Sequence, residues 1–163
     1  MWEADLDEEI ANFMLLAAKL EFFLVNLDQT FAHVDGKTRV VRGINWDRIG
    51  QSLEVKHPFS GFDFAGSGFQ LFKETTPQLL VAKEGGGLKW DSDEIEVSSW
   101  QILLGRSYAQ LRNNVAHGNK AQLSASFTHD RTREFLEAGR HLIHFLAEAH
   151  SADDTWSYAV QFH

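Results

Sequence analysis

The chain has no cysteine and only two prolines in 163 residues. Without cysteine there are no disulfides, no thiolate metal ligands and no cysteine nucleophile. Basic charge is also short: 15 Lys+Arg stand against 23 Asp+Glu, a formal net charge of −8. Proteins that bind phosphate backbones strongly carry the opposite field. The longest apolar stretch, Phe13 to Leu27, is interrupted by Lys19, Glu21 and Asn26. We therefore expect no membrane span, which takes about 18 apolar residues in a row. The start Met1-Trp2-Glu3-Ala4-Asp5 is acidic where a signal peptide is basic, so the expected location is cytoplasmic. What is present is globular in kind, 44% hydrophobic and 23% charged. The length suits a single domain over 1–163 with a sizeable core.

Helical periodicity dominates. From about Asp5 to Phe31, apolar residues recur at Ile10, Phe13, Met14, Ala17, Leu20, Leu24, Leu27 and Phe31, in steps of three and four that predict a long helix. Leu15, Leu16, Phe22, Phe23 and Val25 widen the stripe, so the helix needs more than one packing partner. Asp5, Asp7, Glu8 and Glu9 suit its N-terminal dipole. Asp35-Gly36 reads as a turn. A second helix runs from Asn45, its N-cap, to about Val55 and ends at His57-Pro58. Between Ser60 and Lys73, three glycines interleave with Phe62, Phe64, Phe69 and Phe72, which predicts a packed irregular segment. Thr76-Pro77 opens a short helix to about Lys83, closed by Gly85-Gly86-Gly87. That glycine run lacks the Gly-Lys-Ser/Thr ending of a phosphate loop. A third strong helix begins near Ser98 or Ser99 and ends between Asn113 and Gly118. A last one, capped by Thr128 or Asp130, reaches about His150. The tail from Trp156 to Phe162 alternates as a short strand or extended arm.

The chemistry-bearing stretch is Leu111-Arg112-Asn113-Asn114-Val115-Ala116-His117-Gly118-Asn119. It sets a guanidinium, two amides and an imidazole at the end of an apolar helix. Arginine offers five donors matched to phosphate oxygens, and histidine exchanges a proton near neutral pH. Positions five apart on an unbroken helix diverge by roughly 140°. Arg112 and His117 therefore converge only if the helix bends or ends between them, which Asn113, Asn114 and Gly118 tolerate. The same residues also fit a plain helix terminus, with Arg112 pairing an acidic neighbour and the asparagines acting as caps.

These residues resemble the signature of the HEPN superfamily (higher eukaryotes and prokaryotes nucleotide-binding domains): Arg, four to six residues, then His, often with a polar residue after the Arg. The match is Arg112, Asn113 and His117-Gly118. The order of elements is similar too: a long first helix, a second helix, a variable middle, a helix ending in the motif and a final helix. The resemblance implies an all-α, HEPN-like antiparallel bundle of four to five helices, with an irregular Gly/Phe-rich insertion over 57–97 and a short extended C-terminal arm. It also implies an endoribonuclease that uses neither metal nor other cofactor. His117 would take the proton of a ribose 2′-hydroxyl, which attacks the adjacent phosphodiester, while Arg112 stabilises charge on the phosphorus oxygens. Asn113, Asn114 and Lys120 would bind the substrate. The product would be a 2′,3′-cyclic phosphate, and DNA would resist for want of the hydroxyl. A homodimer with the motif at its two-fold interface is implied, as are an antitoxin or regulatory partner and a toxin–antitoxin or phage-defence setting. The competing class is a non-catalytic helical module that binds nucleotide, RNA or a partner protein.

Other candidates are weaker. His141 and His144, three apart, are suitably spaced to share a metal but have no familiar carboxylate partner. Glu21, inside the first apolar helix, calls for either a partner, an Arg near the motif among the options, or contact with water. Asp91, Asp93, Glu94 and Glu96 read as helix-start carboxylates. Charge is unevenly distributed. From Ser98 to Arg140 six bases face three acids, a net +3 that leaves −11 for the rest. The acidity thus belongs to the scaffold, and the motif segment is mildly basic.

Overall fold

The computed structural model describes residues 2–91, 95–116, 129–151 and 155–157. It is mainly helical, with two small hairpins. Helix α1 spans Trp2–Leu27, and its stripe of Leu6, Phe13, Ala17, Leu20 and Leu24 is buried. Asp28 ends it: the carboxylate accepts the Thr30 N–H at 2.8 Å and starts a 3-10 turn, Gln29–Phe31. The first helix is therefore shorter than the apolar pattern, which runs on through that turn. Within Asp5–Leu27 its most apolar 18-residue window has a mean hydropathy of 1.6, so by length and composition alone the helix is apolar enough to cross a membrane. The interrupting Lys19, Glu21 and Asn26 are too few to bring that window below the range of a span, so the interruptions alone do not exclude one. Here its inner face lies in the core, mostly against the last helix.

Strands β1 (Ala32–Val34) and β2 (Val41–Ile44) pair antiparallel. The Asp35 carboxylate closes the turn between them by accepting the N–H groups of Lys37 and Thr38 at 2.9 and 2.8 Å. Arg39 sits in the left-handed region at φ 60°. The turn at Asp35-Gly36 was legible; the two strands around it were not, because each is only three or four residues long.

Helix α2 spans Trp46–Lys56, with Asn45 as N-cap accepting the Arg48 N–H and His57 as C-cap. Ile49 and Leu53 are buried. A short α3 (Leu71–Glu74) follows the irregular segment, which is packed as expected. Phe62 lies 4.8 Å from Phe64 and 4.9 Å from Trp100, ring centre to ring centre. The indole of Trp100 donates to the His57 carbonyl at 2.6 Å.

The helix expected from Pro77 to Lys83 is instead a strand. β3 (Leu79–Ala82) pairs antiparallel with β4 (Leu88–Asp91). The physical reason lies in the glycines: Gly85, Gly86 and Gly87 all take positive φ, from 86° to 105°, so the triplet turns a hairpin where a helix C-cap was read. Asp91 accordingly ends a strand and starts no helix, while Asp93 and Glu94 lie outside the described residues.

The last two helical runs form the other half of the core. Ser99 caps a continuous run made of α4 (Trp100–Ile102), a π-helical turn (Leu103–Tyr108) and α5 (Ala109–Ala116). Its expected apolar face is buried throughout: Trp100, Leu103, Leu104, Leu111 and Val115. Helix α6 spans His129–His150. Where an extended arm was expected, Trp156 lies in a single helical turn over 155–157. It is buried, its ring 5.2 Å from that of Phe23. The remainder of the arm falls outside the described residues.

Candidate functional site

The site is built where α5 crosses α1. The Arg112 guanidinium donates from Nε to Glu21 Oε1 and from Nη2 to Oε2, the second at 2.9 Å. This fork is the strong geometry for an arginine and a carboxylate. The side chains are 27% and 17% exposed, so the pair is half withdrawn from water. The hydrogen bonds to Glu21 hold the guanidinium above its ordinary range, against burial, which pulls the other way. Glu21 thus has the arginine partner that its apolar setting requires, and the arginine is that of the motif.

Tyr108 lies one turn before Arg112 and is fully buried. Its ring meets those of Trp46, Phe72 and Phe13 edge-on, at 5.2, 6.2 and 6.5 Å. The hydroxyl has no hydrogen-bond partner among the described residues. Burial pushes it above the ordinary tyrosine range, and the negative charge of Glu21 pushes the same way, so it stays neutral. Sequence reasoning passed over this residue. Its position one turn before the motif arginine was the only clue.

The π-helical turn supplies the local geometry. The Ala109 N–H reaches back five residues to the Leu104 carbonyl. Such turns insert an extra residue and often occur at functional sites. Ser107, buried inside it, donates to the Phe72 carbonyl at 3.0 Å. Arg106 donates to the Pro77 carbonyl at 3.1 Å. Farther along, Asn114 is buried, donating to the Gln78 carbonyl at 2.9 Å and accepting from Gln110 at 2.7 Å. Its amide therefore fastens the start of β3 to α5. Asn113 is exposed. The structure places Arg112, Asn113 and Asn114 on α5, while His117, Gly118 and Lys120 lie outside the described residues.

The histidines of α6 have structural neighbours. His144 Nδ1 accepts from the Trp156 indole at 3.0 Å. His141 lies against Gly68, where a Cβ would come within 2.6 Å of its ring. No group of three or more His, Asp or Glu is arranged to hold a metal among the described residues.

No family model matches the chain, and no curated protein or solved structure matches it.

Proposed function

We propose that the chain is a HEPN-like, metal-independent endoribonuclease. One observation supports this above the others. The motif arginine, five residues before His117, is anchored by a carboxylate from another helix, and its Nη1 group has no partner among the described residues. An arginine fixed on one edge and open on the other suits a phosphodiester oxygen better than a floppy one, because orientation is fixed before substrate arrives. In this reading His117 takes the 2′-hydroxyl proton, Arg112 stabilises the charge that develops on phosphorus oxygens, and Asn113 and Lys120 contact the substrate backbone. Two copies work as a dimer, in the cytoplasm, in a toxin–antitoxin or phage-defence setting with an antitoxin or other regulatory protein.

A second reading has its own support. Glu21 cancels much of the Arg112 charge, which suits a helical module that binds RNA, nucleotide or a partner protein without cleaving.

The test is incubation of wild type, His117→Ala and Arg112→Ala with RNA in EDTA. Wild type should leave 2′,3′-cyclic phosphate ends and spare DNA. His117→Ala should be inactive, and Arg112→Ala slower by about 10²–10³-fold. Cleavage that needs a divalent metal overturns the mechanism. If wild type cleaves no RNA but binds it, and Arg112→Ala abolishes binding, the second reading replaces the first.

A further inference from the structure

The outer face of α1 is apolar, and among the described residues nothing covers it. Ala11, Leu15, Ala18 and Phe22, spaced by four, three and four, are all exposed, Leu15 by 52% and Phe22 by 75%. A stripe with this spacing is the seam of a helix pair. Large and small residues alternate along it, and the alternation is self-complementary in one direction only. If a second α1 runs antiparallel about a two-fold axis between Leu16 and Ala17, Leu15 meets the partner's Ala18 and Phe22 meets the partner's Ala11. A parallel pair in register would set Phe22 on Phe22 and Ala18 on Ala18, leaving a bulge beside a gap.

Charge selects the same direction. The first turns of α1 carry the exposed acids Asp5, Asp7 and Glu8. At the other end of the helix, Val25, Asn26 and Gln29 form a groove with Ala32, Val34, Arg39 and Val41 of the β1–β2 hairpin. That hairpin exposes Lys37, Arg39 and Arg42, the last paired with Asp35 at 3.7 Å, so its three bases against one acid leave a net +2. Antiparallel pairing brings each acidic end beside the other copy's basic hairpin, whereas parallel pairing sets acid beside acid.

We propose that this chain forms an isologous homodimer through the outer face of α1, antiparallel and in that register. The inference does not depend on the ribonuclease reading.

The absence of cysteine makes the test clean. The variants Ala11→Cys and Phe22→Cys, mixed and mildly oxidised, should form a disulfide between unlike chains. Phe22→Cys alone should not, because its two copies would stand about 16 Å apart along the seam, beyond the roughly 7 Å that a disulfide spans. In sedimentation, Phe22→Glu should weaken self-association by about tenfold or more. Lys37→Glu with Arg39→Glu should weaken it in low salt and have little effect in high salt. Circular dichroism of each variant should match wild type, since these side chains are exposed in the single chain. Three results would overturn the proposal: a monomeric wild type, self-crosslinking of Phe22→Cys in preference to the mixed pair, or a monomer that sediments with phospholipid vesicles through this face.

Discussion

The Arg112–Glu21 fork joins helices that are 91 positions apart in sequence, so breaking it should cost the whole domain. Removing one partner of a fully buried ion pair costs about 3–5 kcal/mol, because the other charge stays behind unpaired. Here the side chains retain 27% and 17% exposure, and water reaches whichever charge remains. We therefore expect about 2–3 kcal/mol for either Glu21→Ala or Arg112→Ala. In a chain of this size that is a fall in Tm of roughly 5–10 °C. The double variant should cost clearly less than the two singles together, with a coupling energy of about 1–2 kcal/mol. Urea unfolding followed by far-UV circular dichroism measures all four proteins, and a common slope shows that the unfolded states are comparable. Singles costing below about 0.5 kcal/mol, or no coupling between them, would reduce the fork to an ordinary surface pair and remove the basis for an anchored motif arginine.

Four further outcomes follow from other parts of the molecule. Tyr108→Phe removes a buried hydroxyl that has no partner among the described residues, so stability should hold or rise by up to about 1 kcal/mol in the same urea assay; a large loss would reveal a hidden hydrogen bond. Trp100→Ala empties the centre of the aromatic cluster and should cost about 3–5 kcal/mol, read as a lower urea midpoint. Gly139→Ala places a Cβ 2.5 Å from Phe13 Cε2 and should destabilise by about 1–3 kcal/mol. Burial holds His150 below its ordinary value of 6.5 while its ring bonds the Leu146 carbonyl. The unfolded chain then binds the proton more readily than the folded one. Stability from this group is full above pH 6.5 and falls as pH drops toward the lower folded value. In His150→Gln, thermal melts across that window should show a flatter dependence.

Long-period features were legible in the sequence, and short ones were not. The apolar steps of α1 and of the run from Trp100 to Val115 are repeated often enough to fix both helices and their buried faces. Asn45 and His57-Pro58 mark α2 because capping and proline act within one turn. The hairpins escaped because strands of three or four residues show no period. Leu79 to Ala82 also reads as helix until the positive φ at three successive glycines is known. The π turn has no sequence signature at all. At the site, Glu21 stood out as an acid among apolar residues, but its pairing with Arg112 depends on how α1 and α5 pack. Asn114 looked free for a ligand because nothing local announces that β3 runs beside it.

The π turn also makes the helix sensitive to chain length in an unusual way. A one-residue deletion in a regular helix rotates everything beyond it by about 100° and ruins the packing. Across Leu103–Tyr108 a deletion would remove the extra residue and leave an ordinary α-helix, intact in its own hydrogen bonds. The wide turn already under-rotates by about one residue's worth, so the segment beyond it would keep its facing, with Arg112 toward Glu21 and Asn114 toward the Gln78 carbonyl. Deleting Gly105, whose added Cβ would meet nothing within 4 Å, would thus leave the helix regular and the polar contacts that follow it aimed nearly as before. A deletion that ordinarily ruins both helix and site would here spare both.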